Sequence, residues 1–243
     1  MASTSETGNA KNIANFKLLY ETNAGFGPDY NPPISNPRIH IPNMQMQHLD
    51  GDTKQKNVNT QNGIFKPLLN NRRIEYSTLD GLARKIRSSA KSSGAPVEFF
   101  KNVDSVVKKI VGTRVTKPQP TSTDPAGTSA SQQSFDSKLD NLDKLIEILK
   151  NQPLYGPNEY ELTIVGLEVK QTNLENANNA VKTGAQPYNT AIKERNKALY
   201  TTNTGLVDVA QQSKDYVRSK FGYTSPEFKL VSKITFKKIV KID

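Results

Sequence analysis

Residues 134–151, SFDSKLDNLDKLIEILKN, carry the clearest secondary-structure signal in the chain. Their apolar side chains recur every three or four positions, which places them on one face of an α-helix: Leu139, Leu142, Leu145/Ile146 and Leu149. Ser134 or Asp136 stands just before this stripe, where either side chain would cap the first turn. The segment therefore predicts an amphipathic helix over residues 136–151.

Residues 112–134, GTRVTKPQPTSTDPAGTSASQQS, have the opposite character. They are rich in Pro, Ser and Thr and almost free of large apolar side chains, so they cannot bury enough surface to offset chain entropy. This composition predicts a flexible linker. We expect a disordered N-terminus at residues 1–10, a first helical repeat at 11–111, the linker at 112–134 and a second repeat at 135–243.

The two halves share three landmarks in the same order. These are a Tyr-x-Pro step, a Tyr-x4-Gly-Leu motif, and a glycine followed by a proline and Phe-Lys-x-Val. They begin at Tyr30, Tyr76 and Gly94 in the first half, and at Tyr155, Tyr200 and Gly222 in the second. The two tyrosines are 46 residues apart in the first half and 45 in the second. Such recurrence favours an internal duplication over chance matching.

At these landmarks the sequence resembles uncharacterised, duplicated all-helical proteins of bacterial genomes. The resemblance covers both halves and implies no activity, cofactor or site residue. We therefore expect an all-α chain of two tandem helical-bundle repeats, each of about four helices, joined by the Pro/Ser/Thr linker.

The predicted helices of the two repeats come in pairs. The first pair covers residues 11–23 and 136–151, the second 43–71 and 159–199, and the third 77–92 and 203–220. The fourth pair begins at Pro96 and Pro226, since proline is tolerated at the first helical position. Pro67 and Pro187 are expected to kink or interrupt the long second helices, because proline removes a backbone donor.

The C-terminal stretch 228–240, FKLVSKITFKKIV, allows two interpretations. Its β-branched residues and partial alternation favour a strand. Its counterpart at 98–110, EFFKNVDSVVKKI, has apolar residues at helical spacing. We expect a helix in both halves, at least through Phe236.

Composition narrows the class of protein. The absence of cysteine excludes disulfides, thiolate metal sites and cysteine nucleophiles. The first eleven residues lack the apolar region of a secretory signal, and no stretch approaches the ~18 apolar residues of a transmembrane helix. These features predict a cytoplasmic protein that does not insert into membranes.

The formal charge of +10 is unevenly distributed. Residues 66–117 hold twelve basic and four acidic residues, a net charge of +8. The candidate polyanion-binding residues in this segment are Arg72, Arg73, Arg84, Arg87 and Lys91. The second half does not repeat this stripe, and no aromatic stacking platform is interleaved with it. A solvated helix face is the alternative interpretation of the same charges.

Catalytic and metal-binding patterns are weak throughout. His40 and His48 are eight residues apart, which matches no standard metal signature. The Gly25-Phe-Gly27 motif follows a predicted helix, whereas a dinucleotide fingerprint follows a strand. Asp140, Asp143 and Glu147 alternate with lysines, as on a solvated helix face.

We therefore expect no catalytic, metal or cofactor site and predict a non-enzymatic structural or protein-interaction bundle. Its expected partners are another protein or a second copy of itself, bound through helix faces. Nucleic-acid binding through the basic segment 66–117 is the alternative function, and an enzyme would require a buried histidine or carboxylate pocket.

Overall fold

A computed structural model of the chain describes residues 8–112 and 133–239. Over these residues the chain forms eight α-helices and no β-strand, which confirms the all-α prediction. The helices are α1 (Asn9–Ala24), α2 (Ile41–Ser77), α3 (Leu79–Ser92), α4 (Val97–Val111), α5 (Phe135–Lys150), α6 (Ile164–Tyr200), α7 (Leu206–Phe221) and α8 (Pro226–Ser232). Short 3₁₀ helices lie at Gly27–Asp29, Pro37–Ile39 and Tyr160–Leu162. The predicted linker lies outside the described residues from 113 to 132.

The helix order short, long, short, short occurs twice along the described chain. The long helices α2 and α6 contain 37 residues each, and α1 and α5 contain 16 each. Ser134 caps α5, because its hydroxyl oxygen accepts from the Ser137 N–H at 3.1 Å. Ser225 caps α8 in the same way, accepting from the Phe228 N–H at 3.0 Å. The cap expected at Ser134 is therefore present, and Ser225 makes an equivalent one.

The long helices continue through Pro67 and Pro187, so of the two expected effects, a kink or an interruption, the interruption does not occur. Both prolines are exposed, as are Gly63 and Thr183 four residues before them. A carbonyl that loses its helical donor at such a position can hydrogen-bond to water instead. The helices therefore persist, and each proline costs its helix one backbone hydrogen bond.

The compact units of the chain differ from the predicted boundaries. One unit contains residues 1–64 and 185–243, here called the terminal unit, and the other contains residues 65–184, here called the central unit. Each long helix begins in one unit and ends in the other. Each unit therefore takes helices from both halves of the sequence, because the apolar stripe of a helix selects a partner by shape and not by chain position.

In the terminal unit, α1 packs against α7 and α8. Its core combines side chains from both ends of the chain, all buried: Ile13, Phe16, Leu19, Met44, Leu199, Val209, Val217 and Val231. Polar groups also lie in this core, since the buried Asn23 amide donates to the Ser213 hydroxyl at 2.7 Å. Burying a polar side chain costs stability unless it is hydrogen-bonded. This bond offsets part of the cost, while the buried Asn23 Oδ1 has no hydrogen-bond partner among the described residues.

In the central unit, α4 packs against α3 and α5. The predicted stripe of α5 is buried here, at Leu142, Leu145, Ile146 and Leu149. It meets buried side chains of α3 and α4: Ala83, Ile86, Ala90, Val103, Val107 and Ile110. Burial of one such leucine stabilises the fold by about 2–5 kcal/mol relative to alanine.

The C-terminal stretch corrects the prediction of a helix through Phe236. Helix α8 ends at Ser232, and residues 235–239 have no regular secondary structure. Side chains of α1 hold this segment instead: the Asn15 amide donates to the Thr235 carbonyl at 2.7 Å. The Lys214 ammonium group donates to the Ile234 carbonyl at 3.0 Å. Hydrogen bonds from other helices thus replace the helical ladder here.

None of the helices in the described part of the chain has an apolar stretch long enough to cross a bilayer.

Candidate interaction groove

A groove opens on the central unit between α3 and the first turns of α6, with a volume of about 510 Å³. We call it the α3–α6 groove. Its lining residues are Thr78, Gly81, Leu82, Lys85, Tyr160, Glu161, Gly166, Val169, Lys170 and Asn173. The residues on α3 recur at positions 81, 82 and 85, which places them on one face of that helix.

The 3₁₀ helix Tyr160–Leu162 forms one end of the groove, next to the first turn of α6. The Tyr155 hydroxyl donates to the Leu162 carbonyl at 2.9 Å, and burial raises the pKa of Tyr155 to about 12. The Thr163 hydroxyl accepts from the Gly166 N–H at 3.1 Å and so caps α6. A side chain at position 166 would overlap the Tyr160 carbonyl, so glycine is required for this close approach.

The groove exposes apolar side chains that the sequence pattern did not identify. Tyr160 is 64% exposed and Val169 is 46% exposed, while Leu82 is half-buried. Single exposed apolar residues are common, but three around one concave surface mark a candidate binding site. The signal in the sequence is that Val169 lies off the helix face that Leu167 and Leu174, seven residues apart and both buried, share on α6.

Ion pairs flank the groove. Lys85 lies 2.7 Å from Glu161, and their side chains are 62% and 56% exposed. Lys170 lies 2.8 Å from Glu75, and these side chains are 19% and 31% exposed. An exposed pair contributes only about 0–1 kcal/mol, so the Lys85–Glu161 pair exchanges partners at little cost.

The terminal unit has a corresponding surface, when positions are counted from the first residue of each long helix. The third residue is Gly166 in α6 and Asn43 in α2, and the seventh is Lys170 in α6 and Gln47 in α2. The Asn43 amide donates to the Pro37 carbonyl at 2.6 Å, where Gly166 makes room for the Tyr160 carbonyl. Two cavities adjoin this surface. One, of about 250 Å³, is lined by Pro37, Arg38, Asn43, Gln47 and Thr204, and Gln47 and Thr204 also line one of about 500 Å³.

The five predicted polyanion-binding residues do not share one environment. Arg72 is half-buried, and its guanidinium carbon lies 4.2 Å from the centre of the Phe135 ring. Arg87 pairs with Asp104, which also pairs with Lys108. The hydrogen bond from Lys108, with a further one from Arg87, lowers the pKa of Asp104. Two of the five are therefore engaged inside the central unit.

Arg73, Arg84 and Lys91 are the exposed remainder of that set. Within residues 8–112 and 133–239 they form no ion pair. Arg84 belongs to α3, one residue before the groove-lining Lys85. Three of the five predicted residues are thus exposed and have no ion pair among the described residues.

The histidines lie apart from any metal-binding cluster in the portion of the chain that the structure describes. His40 is within hydrogen-bond distance of the Pro33 carbonyl, at 3.2 Å. His48 packs edge-on against Tyr20, with ring centres 5.7 Å apart, and burial lowers its pKa. The carboxylates of α5 form exposed ion pairs, Asp140 with Lys144 and Glu147 with Lys150, as on a solvated face.

The tyrosine landmarks have matching roles in the two units. Tyr30 and Tyr155 each donate to a 3₁₀-helix carbonyl, that of Ile39 at 2.8 Å in the case of Tyr30. Tyr76 and Tyr200 are both buried at or near the end of a long helix. Each also receives a hydrogen bond from an asparagine amide, Asn178 to Tyr76 at 2.8 Å and Asn12 to Tyr200 at 3.2 Å.

The glycine landmarks do not match. Gly205 precedes α7 and approaches the Thr201 backbone closely, whereas Gly81 lies inside α3 with open space around it. The reason is the connection between helices, which is Thr78 alone before α3 but residues 201–205 before α7. The shared Gly-Leu spacing therefore does not mark equivalent positions.

Comparison of the chain with protein-family models, with curated proteins and with solved structures finds no match.

Proposed function

We propose that this chain is a non-enzymatic protein-interaction bundle that binds a partner protein through the α3–α6 groove. The observation that supports this function is the exposure of Tyr160 and Val169 beside Leu82 in a groove of about 510 Å³. Apolar side chains around a concave surface gain free energy when a partner covers them. Helix-rich scaffolds commonly present such surfaces to peptide segments.

We also propose that the chain arose by duplication of a four-helix segment. The matched lengths of α2 and α6 support this, as do the corresponding hydrogen bonds of Tyr30 and Tyr155. Buried positions correspond as well: Leu79, Ala83 and Ala90 of α3 match Leu206, Ala210 and Val217 of α7 when counted from each helix start. The divergent groove surfaces then represent specialisation of the two copies.

Site-specific photocrosslinking in cells of the native host tests the proposed function. A benzophenone side chain at position 169 or 160 should capture one and the same protein, and Asn102, exposed on α4, is the control position. Capture of a second copy of the chain would show self-association through the groove. A pattern of adducts identical at positions 169, 160 and 102 would contradict the proposal.

Polyanion binding is a second candidate function, favoured by the exposure of Arg73, Arg84 and Lys91. Three phosphate contacts would give a modest slope of about −2.7 in a plot of log K against log salt concentration. Titration of the chain against duplex DNA and RNA at several salt concentrations tests it. Binding lost in Arg84→Ala and Lys91→Ala, with a reduced salt slope, would support this function, and a salt-insensitive signal would eliminate it.

A further inference from the structure

We infer that the α3–α6 groove takes an extended, acidic peptide segment of the partner, with a large apolar side chain on the groove floor and a carboxylate against α3. This inference rests on the proposed function and specifies the partner's chemistry. Three features of the described residues carry it: the loop seated on the corresponding surface of the terminal unit, the apolar floor, and the charge of α3.

The terminal unit shows what covers this kind of surface. There the connection 201–205 supplies Thr204, which lines the cavity beside Pro37 and Asn43. The Thr204 carbonyl accepts from the Gln47 amide at 2.8 Å. The cover is therefore a non-helical segment whose backbone oxygen binds the seventh residue of the long helix.

Among the described residues the central unit has no such cover, and its corresponding connection is the single residue Thr78. The seventh residue of α6 is Lys170, a donor at the same position as Gln47. Lys170 already binds the Glu75 carbonyl at 2.9 Å and the Glu75 carboxylate at 2.8 Å, and it is one of the groove-lining residues. A segment from another protein fills the place that residues 201–205 fill in the terminal unit.

The floor of the groove determines one side chain of that segment. The apolar surface here is formed by Leu82, Tyr160 and Val169. A polar cover such as Thr204 would leave this surface in contact with water. A leucine or phenylalanine of the partner removes this surface from water at about 25 cal/mol per Å². The volume of about 510 Å³ admits such a side chain together with its flanking backbone.

The charge of α3 determines the flanking residues. This helix carries Arg84, Lys85, Arg87 and Lys91 against a single acid, Asp80. Arg84 is exposed and has no ion pair among the described residues, and Lys85 has only its solvent-exposed pair with Glu161. A basic segment would place like charges together, whereas a carboxylate on the partner binds Arg84 or displaces Glu161 from Lys85.

Direct binding to three labelled six-residue peptides tests the inference. The probes are acetyl-Glu-Asp-Leu-Phe-Asp-Glu-amide, the same peptide with lysine in place of each acid, and the same peptide with serine in place of each acid. Fluorescence anisotropy gives the affinity, and amide NMR shifts at Gly81 and Gly166 report the site. We expect the acidic peptide to bind at least ten-fold more tightly than the lysine peptide, and less tightly as salt is added.

Matched variants locate the binding. Val169→Asp and Lys85→Glu should each lower the affinity for the acidic peptide at least ten-fold. Val97→Asp and Lys109→Glu, both at exposed positions of α4, should leave the affinity unchanged. None of the four substituted side chains is buried, so we expect all four variants to fold. Circular dichroism melts check this.

The outcomes separate this inference from the proposed function. Equal binding of the serine and acidic peptides would overturn the acidic specificity while leaving a protein-binding groove in place. No binding of any peptide at millimolar concentration, together with a single crosslinked partner at position 169, would overturn the extended-peptide inference alone. Competition by the acidic peptide against that crosslink would support both.

Discussion

The side-chain amide of Asn12 holds both backbone polar groups of Lys237. The Asn12 nitrogen donates to the Lys237 carbonyl at 2.8 Å, and the Asn12 oxygen accepts from the Lys237 N–H at 3.1 Å. The same amide nitrogen lies 3.2 Å from the Tyr200 hydroxyl in the core. One asparagine of α1 thus pairs with the non-helical C-terminal segment as a neighbouring strand would.

Replacing Asn12 by alanine should release residues 235–239 and destabilise the terminal unit. Asn12 is buried, so its loss removes the partners of two backbone groups, at a cost of about 1–3 kcal/mol. The Tyr200 hydroxyl keeps its bond to Asn9 Oδ1. Denaturant unfolding measures the free energy, and amide hydrogen exchange at Lys237 should accelerate. Asn189→Ala, at an exposed helical position of α6, is the control and should change the free energy of unfolding by less than about 0.5 kcal/mol. Unchanged exchange at Lys237 would contradict the pairing.

Replacing Gly166 by alanine should disturb the groove. The new Cβ would overlap the Tyr160 carbonyl oxygen, so the 3₁₀ helix must shift, at about 1–3 kcal/mol. Gly63→Ala is the opposite case, because Gly63 lies inside α2 with open space around it. It should stabilise the chain by about 0.5–1 kcal/mol. Thermal melts of the two variants should move in opposite directions, and equal shifts would refute the close approach at position 166.

The neighbouring arginines Arg72 and Arg73 should respond differently to alanine substitution. Arg72 covers the Phe135 ring at 4.2 Å, so its loss should destabilise the central unit by about 1–2 kcal/mol. Arg73 is exposed, so Arg73→Ala should lower the free energy of unfolding by less than about 0.5 kcal/mol. Urea unfolding of both variants and of Arg72→Lys measures this contrast. If Arg72→Ala leaves the free energy of unfolding unchanged, Arg72 would again be a candidate polyanion-binding residue.

Alkaline pH should destabilise both units through buried tyrosines. Burial raises the pKa of Tyr30 and of Tyr155 from 10.0 to about 12. The folded state therefore holds these protons more tightly than the unfolded state does. Their contribution is fully present below pH 10.0 and is lost as the pH rises to about 12.

Tyr30→Phe and Tyr155→Phe isolate this effect. At neutral pH each variant should lose about 1 kcal/mol of unfolding free energy, because its hydrogen bond is gone. Between pH 10 and 12 its stability should then fall less steeply than that of the unmodified chain. Tyr223→Phe, which alters a 73% exposed ring, is the control. Parallel pH profiles for the three variants would rule out the buried phenols as the cause.

The all-α class and the approximate positions of the helices could be predicted from local sequence patterns. The stripe of α5, its Ser134 cap and the proline-marked starts of α4 and α8 are short-range features, because helical hydrogen bonds join residues four apart. The bounds of α2 were harder to predict, since polar residues interrupt its apolar stripe and the helix runs to Ser77. The tyrosine landmarks were visible in the sequence, but their asparagine and carbonyl partners lie far along the chain or depend on the fold.

An amphipathic sequence specifies that a helix face is buried, not what buries it. The pairing of α1 with α7 and α8, and of α5 with α4, depends on the fit of side chains distant in sequence. The same holds for the groove, because it forms where α3, the 3₁₀ helix Tyr160–Leu162 and the start of α6 meet, and α3 is distant in sequence from the other two. Local sequence thus determined the helices and their caps, while long-range packing chose their neighbours and the surface left uncovered.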